Sequence, residues 1–298
     1  MEKSVETFIA KAGVLIEALP YIRNFAGKTF VIKYGGQAMI STAMKNLVAQ
    51  DLVLLKYIGI NPILVHGGGK EITILMEKMG KEASFFNGLR ITDQETMELV
   101  EMVLVGKVNK EIVSLLNRHG GNAVGLSGKD SSLLACRKKP PLQVDVDGKE
   151  ETIDLGYVGD IVKINPAVIQ TLSKNGYIPV ISSVGVGTEG ESLNINADHV
   201  AGELAAALQA EKLIVLTDVE GIFGQEGQPE TLISTLSRRR AQEMIFSGKI
   251  SAGMIPKVEA CIRALNNDVA RTHIIDGRLS HSILLEIFTD KGIGTMVV

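Results

Sequence analysis

Two glycine-rich turns carry residues suited to bind an anion. The first, His66–Lys70 (HGGGK), follows the apolar run Ile63–His66 and leads into a helical pattern. Three consecutive glycines let backbone N–H groups approach an anion, and they exceed what a tight turn alone needs. The second, Lys33–Gly36 (KYGG), places a lysine at the carboxyl end of a predicted buried strand, where open α/β sheets bind ligands. A lysine there needs a partner unless its stem extends to the surface.

Two further segments place charged side chains at the start of predicted helices. In Asn194–Asp198 (NINAD), Asn196 can cap the following helix, which leaves Asp198 in its first turn. The helix dipole alone would account for Asp198, whereas Asn194 lies before the cap and is free for a ligand. In Gly253–Lys257 (GMIPK), a lysine in the first turn opposes the dipole, and a bound anion would compensate for it.

Alternating strands and helices are predicted to position these residues. Short apolar runs predict the buried strands Thr29–Lys33, Ile63–His66, Tyr177–Ser182, Lys212–Thr217 and Thr272–Ile275. Helical patterns predict a helix that opens with a capping box at Thr92–Glu95 (TDQE) and runs towards Asn117, one that starts at Asn165–Pro166, and the helices Ala197–Gln209 and Met254–Asn267. This alternation predicts an α/β protein with a largely parallel sheet.

Two segments are predicted to lie outside this alternation. Residues Arg137–Thr152 predict a surface β-hairpin with its turn at Asp147–Gly148. Near the N-terminus, apolar residues from Val5 to Leu19 fall on one helical stripe, which Pro20 is expected to end. The periodicity alone leaves open whether this helix packs on its own subunit or serves as an oligomerisation arm.

Composition excludes several classes of function. The 298 residues carry a net charge of -3, with 4% aromatic residues and no tryptophan, so we expect no nucleic-acid surface. The basic run Arg238–Arg240 fits a solvated helix face. The apolar runs are far shorter than the ~20 residues that span a bilayer, so no membrane segment is expected. Two cysteines, Cys136 and Cys261, cannot form a metal quartet and are expected to be reduced in a cytoplasmic protein.

The sequence also argues against two common nucleotide-binding loops. A Walker A loop is excluded because Gly69 and Lys70 are followed by Glu71 rather than by serine or threonine, and because the string Gly27–Thr29 (GKT) lacks the upstream glycine. The string Gly185–Gly190 (GVGTEG) matches the dinucleotide pattern, but Glu191–Asn196 separates it from the next helix. We therefore expect no nicotinamide site.

Five motifs in this order resemble the amino acid kinase family. They are Phe30–Gly36 (FVIKYGG), Val65–Gly69 (VHGGG), Asn87–Arg90 (NGLR), Asn194–Asp198 (NINAD) and Gly253–Lys257 (GMIPK). The resemblance extends from residue 30 to residue 298 and implies an open α/β/α sandwich with a largely parallel central sheet. It implies an N-terminal oligomerisation helix in residues 1–27, an amino-acid-substrate lobe in residues 28–210 and a nucleotide-binding lobe in residues 211–298. The NGLR motif is similar to that of members that phosphorylate N-acetyl-L-glutamate.

The resemblance implies transfer of the γ-phosphoryl of ATP, which brings its own Mg²⁺, to the side-chain carboxylate of N-acetyl-L-glutamate. These two anions must meet, and like charges ~4 Å apart repel by ~4 kcal/mol at an effective dielectric constant of 20. Lys33 and Lys257 would neutralise the phosphoryl group, and Asp198 would hold both lysines. The resemblance further implies Gly35, Gly36 and Gly68 as N–H donors to the phosphoryl group, Gly68, Gly69, Arg90 and Asn194 for N-acetylglutamate, and Thr217, Asp218 and Gly221 for the nucleotide. It implies no metal held by the protein itself.

The C-terminal segment from residue 273 to residue 295 is similar to that of arginine-inhibited members of the family. By resemblance, L-arginine would be an inhibitor bound by Lys212, His273, Glu286 and Gly292, with Tyr21 as a neighbour. The same subgroup implies a hexamer in which N-terminal helices join three dimers, and some members bind a PII-type signalling protein. From the residues alone, Glu286 could instead form a surface salt bridge and His273 could be a satisfied strand histidine.

Two alternative functions remain at this level. One is a kinase for a related N-acylated amino acid of the aminoadipate type, because one extra methylene is worth only ~1–3 kcal/mol. The other is a non-catalytic arginine sensor of the same fold. A sensor would need none of Lys33, Asp198 and Lys257, and their joint presence therefore favours an enzyme.

Overall fold

The computed structural model describes residues 5–39, 41–146, 149–225, 228–289 and 292–298. Its strands are β1 (Thr29–Tyr34), β2 (Asn61–His66), β3 (Phe85–Phe86), β4 (Leu89–Arg90), β5 (Ala123–Leu126), β6 (Leu134–Lys138), β7 (Leu142–Val146), β8 (Lys149–Ile153), β9 (Gly159–Ile164), β10 (Ile178–Ser182), β11 (Val184–Val186), β12 (Ser192–Asn194), β13 (Lys212–Thr217), β14 (Thr235–Leu236), β15 (Arg271–Asp276) and β16 (Thr295–Val297). Its α-helices are α1 (Val5–Phe25), α2 (Thr42–Tyr57), α3 (Gly69–Lys78), α4 (Gln94–Glu101), α5 (Asn109–Arg118), α6 (Ala167–Lys174), α7 (Ala197–Ala207), α8 (Arg238–Phe246), α9 (Ile255–Leu265) and α10 (Ser282–Phe288).

A central eight-stranded sheet organises the chain, in the order β14-β16-β15-β13-β1-β2-β10-β5. The six strands from β15 to β5 pair in parallel, and β16 runs antiparallel to β15. All five strands predicted from apolar runs are present; Lys212–Thr217 has the predicted bounds, and the ends of the other four shift by at most two residues. Most residues of these strands are apolar and buried, as expected for a sheet that helices cover on both faces.

Side chains of β1 alternate between two apolar cores. Phe30 and Ile32 pack into one core with residues of α2, α3, α4, α5 and α10. Val31 packs into the other core with residues of α6, α7, α8 and α9. This three-layer arrangement confirms the predicted α/β/α sandwich. It brings the carboxyl ends of the parallel strands to one edge, where the glycine-rich turns lie.

The predicted surface hairpin is confirmed, because β7 and β8 pair antiparallel from Leu142 to Ile153. Its predicted turn at Asp147–Gly148 lies outside the described residues. A four-stranded sheet in the order β12-β11-β6-β9 packs beside the main sheet and carries Asn194 at the end of β12. In the part of the chain that the structure describes, no helix is both long and apolar enough to cross a membrane.

Two helix predictions were wrong in detail. The capping box at Thr92 does not form, because Asp93 is the N-cap and its carboxylate accepts the N–H of Thr96 at 2.8 Å. The helix towards Asn117 is also not a continuous α-helix, since a π-helical segment, Met102–Val108, separates α4 from α5. Local periodicity does not register this segment because its apolar residues keep a helical spacing.

The N-terminal helix differs from its prediction at Pro20. Helix α1 continues through Pro20 to Phe25 instead of ending. The proline removes one backbone hydrogen bond and crowds the carbonyl of Ile16, and burial of Phe25 in the last turn offsets this cost. The ring of Phe25 lies 5.2 Å from that of Phe30. The apolar stripe before Pro20 is exposed, with Ile9 at 65% and Leu15 at 73%, and therefore does not pack on its own subunit.

Candidate active site

The two glycine-rich turns lie side by side because β1 and β2 are neighbours in the sheet. Lys33 pairs in register with Val65 and Tyr34 with His66, so both turns leave the sheet at the same edge. The N–H of Gly67 donates to the carbonyl oxygen of Tyr34 at 3.3 Å, which ties the turns together. Backbone N–H groups from both turns can therefore face one ligand.

Helices α7 and α9 add charged side chains to this edge. The side chain of Asn196 caps α7 by accepting the N–H groups of Asp198 and His199, as the sequence predicted. Asp198 thus occupies the first turn of α7. Lys257 occupies the first turn of α9, with Pro256 beside it at the helix start.

The buried side chains of Lys33 and Asp198 form one charge cluster with the partly buried Lys257. The ammonium nitrogen of Lys33 lies 3.0 Å from Oδ1 of Asp198, and that of Lys257 lies 3.5 Å from Oδ2. Burial by itself would raise the pKa of the Asp198 carboxyl, but the two lysines outweigh burial and hold that pKa below its usual range. The cluster carries one net positive charge, which suits a ligand with negative charge.

The glycines after Lys33 leave room for its ammonium group. A Cβ atom at Gly35 would lie 2.9 Å from Nζ of Lys33, so any side chain there would displace the ammonium group. Gly36 adopts a φ of +66°, a left-handed conformation that glycine allows without strain. Glycine is therefore required at position 35 by the nearby ammonium group and favoured at position 36 by the backbone conformation.

A cavity of about 210 Å³ opens beside the charge cluster. Gly68, Gly69, Arg90, Asn194 and Asp198 all line it, so every residue predicted to bind N-acetylglutamate reaches one space. This volume suits a small molecule. The clustering itself is a property of the fold, since these residues come from three separate segments of the chain.

Arg90 is held in place with its positive charge available. Its guanidinium group donates to the carbonyl oxygen of Gly69 and to Oγ1 of Thr73, both at 2.8 Å, and stacks 4.7 Å from the ring of Phe85. Burial lowers the pKa of Arg90, and none of the ion pairs among the described residues gives it a carboxylate partner. A bound carboxylate would supply that partner through bidentate hydrogen bonds.

Thr92 joins two of the substrate-binding candidates, and sequence analysis missed this role. Its hydroxyl group donates to the carbonyl oxygen of Arg90 at 2.8 Å and accepts from the amide of Asn194 at 3.3 Å. Thr92 is fully buried, and its carbonyl oxygen would collide with any Cβ atom at Gly156. The TDQE pattern predicts a helix cap at Thr92, whereas in the structure its side chain links Arg90 to Asn194, two residues that line the cavity.

The nucleotide candidates are only partly brought together. Gly221 lines a cavity of about 270 Å³ together with Phe223, Lys249 and Ser251, which sequence analysis did not identify. Thr217 and Asp218 do not line this cavity, and the hydroxyl of Thr217 donates to the Asp218 carboxylate at 3.3 Å instead. Across the described ranges, no group of three His, Cys, Asp or Glu side chains has the geometry to hold a metal ion.

A separate cavity of about 330 Å³ collects all five residues predicted to bind L-arginine. Tyr21, Lys212, His273, Glu286 and Gly292 line it. Glu286 is 7% exposed, and its Oε1 lies 2.6 Å from Nδ1 of His273, so it does not form a surface salt bridge. A Cβ atom at Gly292 would lie 3.2 Å from Oε2 of Glu286.

Burial and pairing act against each other within this cavity. Burial would raise the pKa of Glu286, but His273 and the N–H of Ile293 outweigh it and hold that pKa below its usual range. Burial lowers the pKa of His273 despite its contact with Glu286. A carboxylate that stays ionised in a buried cavity is a natural partner for a guanidinium group.

Known proteins share the sequence and the fold of this chain. A sequence profile of the amino acid kinase family matches residues 28–276. The chain is similar to acetylglutamate kinase of Moorella thermoacetica, at 58% identity over 290 residues that cover 97% of this chain and 98% of the relative. It is also similar to acetylglutamate kinase of Pelotomaculum thermopropionicum, at 59% identity over 96% of this chain and 97% of the relative.

Solved structures agree at the level of the fold. N-acetylglutamate synthase from Neisseria gonorrhoeae, complexed with coenzyme A and N-acetyl-glutamate, superposes with a TM-score of 0.81 at 28% identity. The match covers 96% of this chain and 63% of the synthase, so this chain spans less than two thirds of that protein. Carbamate kinase from Giardia lamblia bound to AMP-PNP superposes with a TM-score of 0.65 at 17% identity, over 92% of this chain and 99% of the kinase.

The sequence profile and the shared fold define the class: the chain belongs to the amino acid kinase family. The chain is a kinase. Within the family it groups with the acetylglutamate kinases, to which it is similar over nearly its whole length.

Proposed function

We propose that this kinase transfers the γ-phosphoryl group of ATP to the side-chain carboxylate of N-acetyl-L-glutamate, the second step of arginine biosynthesis. The products are N-acetylglutamyl 5-phosphate and ADP. The observation that carries the proposal is the Lys33–Asp198–Lys257 cluster beside a cavity that Arg90 and Asn194 line. The names of the curated relatives support the same reaction.

Charge neutralisation and positioning are what this reaction requires from the protein. The attacking carboxylate and the γ-phosphoryl group repel each other, so cations between them lower the barrier. Lys33 and Lys257 supply these cations, and Asp198 holds both ammonium groups in place. The N–H groups of Gly35, Gly36 and Gly68 then donate to phosphoryl oxygens from two adjacent turns.

Arg90 and Asn194 orient the amino acid in this proposal. The guanidinium group of Arg90 pairs with the α-carboxylate, which leaves the side-chain carboxylate to point towards the charge cluster. Asn194 and the turn at Gly68 and Gly69 complete the cavity wall. The reaction between two positioned groups is faster because the entropy cost of bringing them together is already met on binding.

The nucleotide is assigned to the C-terminal part of the chain, residues 211–298, and the amino acid to residues 28–210. The cavity beside Gly221 borders Met254, at the start of the helix that carries Lys257, which supports this division. Thr217 and Asp218 shape the strand end rather than the cavity. Mg²⁺ enters as part of the ATP substrate and keeps water ligands.

Turnover measurements test the proposed reaction. ADP release from MgATP is measured with N-acetyl-L-glutamate, with an N-acylated aminoadipate and with no acceptor. Faster turnover with N-acetylglutamate supports the proposal. Faster turnover with the longer substrate favours the alternative kinase, and no turnover with either would reject both proposed acceptors.

Feedback inhibition by L-arginine is part of the proposal. Its support is the cavity of about 330 Å³ in which Glu286, His273 and Lys212 meet. Helix α1 reaches this cavity through Tyr21, whose ring packs edge-to-face on Phe288 of α10 at 6.2 Å. The exposed apolar stripe of α1 supports a hexamer assembled from three dimers, in which the stripe is buried between subunits.

Removal of residues 1–20 tests this part. The shortened chain should form a dimer with reduced arginine sensitivity and unchanged turnover, as measured by light scattering and by ADP release. A shortened chain that remains hexameric would contradict the role of the helix. Binding of a PII-type signalling protein stays a prediction that co-elution of the two purified proteins can test.

A further inference from the structure

A fully buried histidine lies at the base of the substrate-binding turn. His66 ends β2, is 0% exposed, and places Nδ1 2.9 Å from the carbonyl oxygen of Gly67. Its other ring nitrogen, Nε2, lies 3.1 Å from the side-chain amide nitrogen of Asn109. The proposed reaction uses neither side chain directly, although both are buried polar groups within a few residues of the cavity wall.

The surroundings of Asn109 determine which way its amide points. Its Nδ2 atom faces the carbonyl oxygens of Val180 at 3.0 Å and Leu126 at 3.4 Å, which can only accept hydrogen bonds. Its Oδ1 atom accepts from the ammonium group of Lys110 at 3.1 Å. The group that faces His66 is therefore an N–H donor.

This orientation fixes the proton on the histidine ring. Nε2 of His66 must accept from Asn109, so the proton lies on Nδ1 and is donated to the carbonyl oxygen of Gly67. Burial lowers the pKa of His66 to about 4, which the Gly67 carbonyl only partly offsets, and the ring is neutral at neutral pH. One neutral tautomer thus satisfies every contact of the ring.

The bond to Gly67 also sets the direction of the next N–H group. The carbonyl of Gly67 and the N–H of Gly68 belong to one planar trans peptide and point in opposite directions. When His66 holds the carbonyl on its own side, the N–H of Gly68 points away from the ring. Among the backbone hydrogen bonds of the described residues this N–H has no acceptor, and Gly68 lines the substrate cavity.

The π-helical segment Met102–Val108 supports the same arrangement from the other side. Leu104 and Val108 pack so closely that a Cβ atom at Gly68 would lie 2.8 and 3.3 Å from their methyl groups. Asn109 follows this segment directly. The segment therefore packs against Gly68 and also places Asn109 within hydrogen-bond distance of His66.

From these contacts we infer that His66 and Asn109 are positioning residues that aim the N–H of Gly68 at the carboxylate and phosphoryl oxygens. The inference rests on the proposed function for the identity of those oxygens. The hydrogen-bond chain from Asn109 through His66 to Gly67 prevents the Gly67–Gly68 peptide from turning over. Without it, the donor would be lost from the site although no residue that touches substrate has changed.

Steady-state kinetics of two His66 variants test the inference. His66→Leu removes the donor to Gly67 and should lower kcat by about 100-fold, the effect of losing one oxyanion donor, with KM for MgATP within about threefold. His66→Asn retains an amide donor near the position of Nδ1 and should keep at least about tenfold more kcat than the leucine variant. His119→Leu is the matched control, because His119 pairs with Asn46 away from the turn, and it should retain wild-type kinetics.

A kcat of His66→Leu within threefold of the wild type would overturn the inference, as would equal losses in the leucine and asparagine variants. If the leucine variant fails to fold, the tautomer of His66 in the wild type decides instead. Nitrogen NMR of the wild type labelled on its histidines should show His66 as the neutral Nδ1–H tautomer. The opposite tautomer, or a charged ring at pH 7, would overturn the inference whether or not N-acetylglutamate proves to be the substrate.

Discussion

Substitution of Lys33 by methionine should separate catalysis from stability at the charge cluster. At 3.0 Å and an effective dielectric constant of 20, Lys33 and Asp198 attract each other by about 5 kcal/mol before desolvation is counted. Lys33 would attract a phosphoryl oxygen at a similar distance by a comparable energy. In the Lys33→Met variant, Lys257 and Mg²⁺ would still supply part of this attraction. A net loss of about 3–4 kcal/mol of transition-state stabilisation corresponds to a 10²–10³-fold lower kcat.

The same substitution leaves the Asp198 carboxylate buried with only Lys257, at 3.5 Å, as its partner. Breaking a buried pair in this way costs about 3–5 kcal/mol of stability. The double variant Lys33→Met/Asp198→Asn removes both charges and should regain most of that stability without regaining kcat. Stability and rate should therefore change independently in the double variant.

ADP release and urea unfolding of the single and double variants provide the measurements. Lys78→Met, at an exposed position on α3, is the control for loss of one lysine and should leave both quantities unchanged. A kcat within threefold of the wild type in Lys33→Met would refute the role of Lys33. Recovery of kcat in the double variant would show that the single substitution acted through misfolding rather than through lost charge neutralisation.

Three further predictions concern the other sites. Arg90→Gln should raise KM for N-acetylglutamate about 10–100-fold with a smaller change in kcat, because charged hydrogen bonds contribute ~1.5–3 kcal/mol each; an unchanged KM would reject the α-carboxylate assignment. Glu286→Gln should abolish inhibition by L-arginine in the ADP assay while turnover without arginine stays at the wild-type level; retained inhibition would place the effector elsewhere. Burial, only partly offset by His281, raises the pKa of Asp51 to about 6. The stability that Asp51 contributes relative to Asp51→Asn should therefore be present below about pH 4 and decrease by up to ~3 kcal/mol as pH rises through 6. Urea unfolding of both proteins across this pH range measures the difference, and a difference independent of pH would contradict the prediction.

Much of the fold could be predicted because its signals are local. The strand β1 is apolar from Phe30 to Ile32, and both of its faces are buried as that pattern requires. The cap at Asn196 and the position of Asp198 in the first turn of α7 follow from adjacent residues. Lys257 lies in the first turn of α9 for the same reason.

Contacts between distant segments could not be predicted from local patterns. Asp198 and Lys257 are 59 residues apart, and only the packing of α7 on α9 brings their side chains within 3.5 Å. The family resemblance supplied this pairing before the structure did, whereas Thr92 was assigned to a cap because the TDQE pattern was the stronger local signal. Of the three nucleotide candidates only Gly221 lines the cavity of about 270 Å³, and Phe223, Lys249 and Ser251 reach that cavity from segments without a recognisable motif.

The π-helical segment explains why His66 and Asn109 could not be matched from the sequence. A π-helix, with hydrogen bonds between residues i and i+5, rotates less per residue about its axis than an α-helix does. Each π-helical residue therefore changes the direction in which all later side chains of the helix point. An unbroken α-helix from Gln94 would therefore present residue 109 in another direction. The contact of Asn109 with His66, 43 residues away, depends on this shift, and so does the aim of the Gly68 donor. The sequence shows which side chains can donate or accept hydrogen bonds. The π-helical segment, which the apolar periodicity does not reveal, determines that Asn109 and His66 meet.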